Sequence, residues 1–496
     1  MEELPNFQLF CGIGLAASIL ACSYAASRPH PLDHIPTVGS PGLLGSYWSA
    51  VKYISNAIDI VQQGFNKYKT DAFRVSTMHG WIVYLNPSHL EEVMKLPTDV
   101  MSFELVLDDM VRMEYTFGSQ ISHHHYNLTI IRTRLTRNLS VLLPGIKDEM
   151  VATLDGLLDM KPNEWKSIPV VDYSRTITAS ILNRTVVRLP LCRDPDWVNF
   201  TVQSTMDAIK EGVMLGGVPD FLLTLSAKFI TTTSSRLRRG VKHLDPIIKE
   251  RLRCMQAYGE KWTDRPFDVL QWFMDDENET TTPLLTARIL FFIFGGMIST
   301  SIVLAKVLCF LATNPQCVQP LREEVEMVID EHGWTREGIA QMRRVDSFIK
   351  ETLRFDGSAA FGVQRKTTKD VTLSDGTFLP QGTHVAVPAY AIEHDHHNYE
   401  NPFSFEPFRF VDLQDKCGDL SKYQLTSVSH DSLMFGFGKS ACPGRFLASM
   451  TLKALLAYIV VTYDLKPGKD FPDSQKLAGV ILTRPSAKLL FRKRMD

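Results

Sequence analysis

From Pro283 to about Thr313 the chain is apolar on nearly every side, through Leu290, Phe294, Ile302 and Leu308, with Arg288 and Lys306 the exceptions. A helix without a polar face has to be enclosed by other elements, so this segment calls for a helical body wrapped around one buried axis. Its length would also span a bilayer; the glycines Gly295 and Gly296, with Ser299, Thr300 and Ser301 midway, favour a core helix, and its midpoint is where a ligand would touch it. The 496 residues, 45% of them hydrophobic, hold enough apolar material to bury such a helix, which excludes a disordered chain. Lys and Arg number 53 against 55 Asp and Glu, so no basic excess points to a nucleic-acid partner, and none is expected.

The rest of the chain divides unevenly. Apolar residues recur at three and four spacing from about 50 to 350, as in Met150, Leu154, Leu157 and Leu158, which predicts helices. Beyond Val363 the pattern changes. Val371 and Leu373, a turn at Ser374-Asp375-Gly376, Phe378, Val385 and Val387 read as short strands, and Val480-Ile481-Leu482 and Leu489-Leu490-Phe491 as two more. The expected fold class is mainly α with small β-sheets, in a single large domain over 43–496.

Ahead of it, Phe7 to Ala26 is an apolar run long enough to cross a membrane, preceded by Glu2 and Glu3 and followed by Arg28. That charge order predicts an anchor over 1–28, a lumenal N-terminus and a cytosolic body; a cleaved signal peptide is the alternative. Pro29, Pro31, Pro36 and Pro41 make 29–42 a stiff connector. The Asn-x-Ser/Thr triplets at Asn127, Asn138, Asn183, Asn199 and Asn278 are then expected to be bare. Eight scattered cysteines with no CxxC pair exclude zinc ribbons and suit a reducing compartment. Adjacent histidines at His123-His124-His125 and His394-Asp395-His396-His397 point apart on a regular element, which disfavours a shared metal ion.

Chemistry concentrates near the C-terminus, where Phe435-Gly436-Phe437-Gly438-Lys439-Ser440-Ala441-Cys442-Pro443-Gly444 precedes Arg445 and an apolar helical stretch from Phe446 to Val461. The pattern Phe-Gly-x-Gly-x-x-x-Cys-x-Gly resembles the haem-binding loop of cytochrome P-450 monooxygenases, whose cysteine is the axial thiolate of the iron. Glycines allow a tight turn close to a porphyrin, and the start of the next helix lends positive dipole to a thiolate. Glu351 and Arg354, three apart on one helix face, and Arg409 in Pro407-Phe408-Arg409-Phe410 resemble the family's buried charge triad, which is structural. The texture of Ile35-Pro36-Thr37-Val38-Gly39 looks like fungal members, which often oxidise terpenoids and other lipophilic secondary metabolites.

The resemblance implies the cytochrome P-450 fold and haem b, with Cys442 as metal ligand and Phe435, Gly438 and Gly444 shaping the loop. Ser440 stands where the family usually has an arginine or histidine for a haem propionate, which leaves Arg365, Arg132 and Lys439 as the expected cations. In the central helix the family's acid-alcohol pair appears as Ile298-Ser299. Gly295 and Ser299 share one face, so Gly295, Ser299 and, secondarily, Thr300 are the expected catalytic positions. Phe103 to Met110, Phe291, Phe294, Ala359 to Val363, Val480 and Ile481 are the expected substrate walls, each with core packing as the alternative.

With no Walker loop and no GxGxxG between strand and helix, electrons are expected from a separate NADPH-cytochrome P-450 reductase. The expected activity is insertion of one oxygen of O2 into a lipophilic small molecule, by an endoplasmic-reticulum protein crossing the membrane once with its catalytic domain in the cytosol. A haem-thiolate isomerase or dehydratase needing no reductase, and a non-catalytic haem or lipid carrier, remain open at this point.

Overall fold

The computed structural model describes residues 30–40, 42–122, 129–161, 163–275, 281–357 and 359–495. The expected anchor over 1–28, the run His123-His124-His125, and Asn127 and Asn278 lie outside them.

The helices that position the site are, in chain order, α1 Leu43–Lys67, α2 Leu90–Lys95, α3 Phe103–Val111, α4 Leu139–Leu158, α5 Val170–Val187, α6 Pro195–Gly216, α7 Thr233–Tyr258, α8 Thr282–Thr313, α9 Arg343–Asp356, α10 Arg409–Cys417 and α11 Arg445–Thr462. The long apolar segment is α8, opened by Pro283 in its first turn and closed at Asn314 before Pro315. Leu285, Ile289, Ile293, Met297 and Leu304 are wholly buried along it, as a helix apolar all round requires. α5 lies against it at close range. A Cβ on Gly296 would come within 3.0 Å of Leu182, so this glycine sets the spacing of α5 and α8. α11 is the second helix apolar enough to cross a membrane by length and composition; like α8 it is mostly buried.

The strands are β1 Thr37–Val38, β2 Phe73–Thr77, β3 Gly80–Tyr84, β4 Met101–Ser102, β5 Lys166–Pro169, β6 Gly362–Thr367, β7 Val371–Thr372, β8 Phe378–Leu379, β9 His384–Val387, β10 Tyr463–Pro467, β11 Gln475–Leu477, β12 Val480–Leu482 and β13 Lys488–Lys493. The largest sheet runs β1-β2-β3-β9-β6-β4, and α1 packs on it through Tyr53, Ile58 and Val61. The hairpin β2–β3 falls inside the stretch expected to be helical: Val75, Val83 and Tyr84 are fully buried, and burial in the sheet outweighs the surrounding helical pattern.

The connector also differs from expectation. Rather than spanning free, Thr37–Val38 pairs parallel with β2, Leu32, Ile35 and Val38 are buried, and Arg74 reaches Asp33 at 2.8 Å. The folded body therefore begins by Leu32, not near residue 43.

Candidate active site

The loop before α11 turns twice through left-handed backbone, at Gly436 (φ 76°) and Gly438 (φ 61°), where a side chain would be strained. The turns bring the Cys442 amide to the Phe435 carbonyl at 2.7 Å, and Phe435 itself packs on the main core. A Cβ on Gly444 would stand 4.0 Å from Cys442 Sγ, in ordinary van der Waals contact with the sulfur. α11 starts one residue later, and the Arg445 guanidinium donates to the Cys442 carbonyl at 3.0 Å.

Cys442 is accessible by surface area, yet desolvation pushes its thiol above the ordinary value, against the Gly444 and Arg445 amides and the Arg445 charge, which pull it down. The two observations agree for an exposed residue whose thiol is nonetheless surrounded by protein atoms that strip bulk water from it. Cys192 and Cys309, by contrast, are buried, and their thiols are raised to about 11 and about 12 chiefly by burial.

Two of the expected cations meet this loop. Arg132 sits in a single π-type turn, Ile131–Leu135, and donates to the Lys439 carbonyl at 3.1 Å. The Lys439 side chain is exposed, so its backbone rather than its ammonium makes this contact. Arg365 is 7% exposed, donates to the Gln364 carbonyl at 2.6 Å and to Met94 Sδ at 3.4 Å, and forms no ion pair among the described residues. Burial lowers the affinity of its guanidinium for its proton, only partly offset by Glu104. Met94, on α2, also lies 3.6 Å from where a Gly438 Cβ would be, so it joins Arg365 to the loop. Nothing in the sequence singles out Met94.

On α8, Gly295 and Ser299 are exposed in the middle of an otherwise buried helix, while Thr300 is 8% exposed. A Cβ on Gly295 would meet nothing within 4 Å. The two adjacent glycines thus do different work: Gly296 fits against α5 and Gly295 borders open space. Ser299 Oγ donates to the Gly295 carbonyl at a long 3.4 Å, and half-buried Ile298 joins an apolar cluster with Val111, Phe117, Phe291 and Phe294. Phe117 stacks edge-on to Phe291 and Phe294, with centroids 5.2 and 5.0 Å apart.

The other expected wall residues divide. Phe103 and Met110, on α3, are exposed, and Ala359 bridges to half-buried Val480. Val363 and Ile481 do not face an opening. Val363, at φ 48° beside a break in the β6–β9 register, packs with Leu90, Val387 and Leu433 under the cysteine loop. Ile481, 1% exposed, turns to Tyr53 and Tyr84, because side chains alternate along β12; its neighbour Leu482, half-buried, shares the Val480 face.

Away from the cysteine loop, Glu351 accepts from Arg354 at 2.7 and 2.9 Å, from Arg409 at 3.1 and 3.2 Å, and from the Glu406 amide at 3.0 Å. Arg354 also donates to the carbonyls of Glu393, Pro402 and Ser404, and Arg409 to those of Glu400, Asn401 and Ser404. Glu393 is a buried carboxyl the sequence did not reveal: it accepts from the Leu433 amide at 3.3 Å, and burial pushes it up to about 8. Among the histidines of 394–397, His394 stacks on Tyr390 and His397 pairs with Asp395; no cluster suited to a metal ion occurs among the described residues.

An exposed cysteine with a desolvated thiol, a buried guanidinium with no ion pair among the described residues and a glycine bordering open space are the features that a planar, anionic, iron-bearing ring would require of its host. The donor set fits haem b. Comparison with known proteins agrees. The cytochrome P450 family profile matches residues 47–491. Cytochrome P450 monooxygenase 71 of Postia placenta is 36% identical over 503 residues, covering 100% of this chain and 99% of that protein. Cytochrome P450 monooxygenase CYP512U6 of Ganoderma lucidum is 32% identical over 500 residues, 100% of this chain and 97% of that protein. Ent-kaurene oxidase of Gibberella intermedia is 28% identical over 509 residues, 100% and 95% respectively.

The site and fold define a haem-thiolate enzyme. The chain belongs to the cytochrome P450 family: it is a monooxygenase with the mainly α P450 fold and haem b as its cofactor.

Proposed function

We propose that Cys442 would hold the iron of haem b through its thiolate and that the enzyme oxidises a lipophilic substrate, of terpenoid type, with electrons from a separate NADPH-dependent reductase. The observation that carries this reading is Cys442, an exposed residue with a desolvated thiol, in a loop shaped by Gly436 and Gly438. When bound, haem supplies the activation of O2 that no side chain can perform.

The chain's own residues hold, orient and exclude. Arg365 and Arg132 are the cations available to the ring's carboxylates, and Ser440 adds none. Gly295 leaves open space that any side chain would begin to fill, room that a bound haem and its substrate would need. Ser299 Oγ, tied to the Gly295 carbonyl only by a long bond, is free to turn and pass a proton from water; Ile298 offers no acid for that task. Phe117, Phe291 and Phe294 keep bulk water out and present apolar surface, which suits a hydrocarbon substrate. Ent-kaurene oxidase among the relatives favours a terpenoid.

The acidic start, the apolar run and Arg28 support an anchor over 1–28 in the endoplasmic-reticulum membrane with the body in the cytosol. Asn183 is buried and hydrogen-bonded to Thr201 and Trp197, which fits a sequon that carries no glycan. The test is product analysis after expression beside a reductase, fed with terpenoids and steroids. NADPH-dependent gain of one oxygen is expected. Conversion without NADPH would favour the isomerase or dehydratase alternative, and no conversion with full haem binding the carrier.

A further inference from the structure

Lys306 is the second charge of the apolar helix α8, and it is 1% exposed. A buried ammonium is costly unless every donor is met. Its three donors are met in one place: Nζ reaches the Asp356 carbonyl at 2.7 Å, Asp356 Oδ2 at 2.8 Å, and the Gly357 carbonyl. These groups form the C-terminal end of α9, where a cation is favoured by the helix dipole. Asp356 Oδ2 also accepts from Ser474 Oγ at 3.0 Å, so one ammonium ties together α8, the end of α9 and the segment entering β11.

What leaves this junction are two segments expected to wall the substrate pocket. Gly357, in left-handed backbone at φ 36°, turns the chain toward Ala359; Ser474 leads into the hairpin β11–β12. The two segments then rejoin: Ala359 bridges Val480, and the Ala360 amide donates to the Gly479 carbonyl at 2.6 Å. Lys306 stands seven residues beyond Ser299 and eleven beyond Gly295, within ~20° of both around the helix. The junction therefore lies along the same stripe as the open positions of α8.

We propose that Lys306 is a positioning residue for substrate selection: by holding Asp356, Gly357 and, through Asp356, Ser474, it fixes where Ala359, Val480 and Leu482 stand relative to α8. This rests on the haem-thiolate reading above, because it places the substrate between those residues and the ring. A merely stabilising ion pair would lower the melting temperature on its removal without altering which ligands fit.

The test uses the full-length holoenzyme, titrated spectroscopically with imidazole and with 4-phenylimidazole. Both coordinate iron, and only the second presses a ring against the walls. In Lys306→Met the ratio of the two dissociation constants is expected to move by more than about threefold from wild type, with the reduced carbon-monoxide spectrum unchanged. A ratio within about threefold, whatever the melting temperature, overturns the inference. Should that variant not accumulate with haem, Lys306→Met/Asp356→Asn, which leaves no unpaired carboxylate, is held to the same criterion. Wild-type protein that gives neither azole shift nor thiolate spectrum would overturn the haem-thiolate reading and this inference with it; an unmoved ratio over a normal wild type counts against Lys306 alone.

Discussion

The Glu351 carboxylate and the Cys442 thiol are both set inside the protein, and their surroundings are opposite. Glu351 is wholly buried, with two guanidiniums and a backbone amide on its two oxygens, and those guanidiniums are in turn occupied by carbonyls. Cys442 is exposed, has glycines around it and lies beyond Met94 from Arg365, which forms no ion pair among the described residues. A group whose hydrogen-bonding capacity is saturated by the chain can only hold the fold. A group left open is one whose partner comes from elsewhere. The same split separates the adjacent glycines of α8: Gly296 is filled by Leu182 and Gly295 faces open space.

Breaking the closed region has the largest effect. Glu351→Ala leaves two buried guanidiniums facing each other and is expected to cost ~3–5 kcal/mol, read as loss of soluble holoprotein and of haem per chain. Haem-loaded Glu351→Ala at wild-type yield would show that the triad is not holding the pocket.

The glycines sharpen the comparison at smaller cost. Gly296→Ala pushes against Leu182 and is expected to lower stability by ~1–3 kcal/mol in thermal melts. Gly295→Ala meets no clash and removes a helix glycine, so stability is unchanged or up to ~1 kcal/mol higher, while 4-phenylimidazole binding weakens. Equal effects of the two substitutions on melting would contradict the division of roles.

Smaller again is the effect of Ser299→Ala. Electrons are expected to divert to peroxide, raising NADPH consumed per product by ~2–10-fold with the thiolate spectrum intact, whereas buried Thr300→Ala changes coupling little. If Thr300→Ala uncouples and Ser299→Ala does not, the proton-handling face has been misassigned.

The last test lies at the border between the regions, where Glu393 joins Arg354 to the cysteine loop through its own carbonyl and the Leu433 amide. Burial raises its carboxyl from 4.5 to about 8, so the folded state holds this proton more tightly than the unfolded chain. The stability it contributes is present below about pH 4.5 and lost as pH climbs toward 8. Lys350 nearby is lowered to about 8 and acts only above that range. Glu393→Gln should therefore flatten the fall in melting temperature between about pH 5 and 8; identical profiles would place the carboxyl in water.

The closed region was legible in the sequence because saturation needs fixed spacing: Glu351, Arg354 and Arg409 come from short motifs, and α8 from an apolar run found within a residue of its ends. The cysteine loop was legible through its glycines. Less was readable where a fold contact leaves no pattern. Met94 under Gly438 and Glu393 on Leu433 look like ordinary helix residues, and the β2–β3 turn, Met78-His79, carries no turn signal of its own ahead of Gly80. Val363 and Ile481 stand in segments expected to wall a pocket, but the direction of a side chain on a short strand depends on register, which no local pattern supplies. Lys306 did leave a signal, as a charge in an apolar helix.

The division between closed and open regions stands or falls on the open thiol. The most direct measurement is the absorption spectrum of the reduced, carbon-monoxide-bound full-length protein, wild type beside Cys442→His. Ligation by Cys442 predicts the red-shifted Soret band of a thiolate complex in wild type and its replacement by a histidine-type band in the variant, with haem still bound. A histidine-type band in wild type, or a thiolate band that survives the substitution, would contradict it.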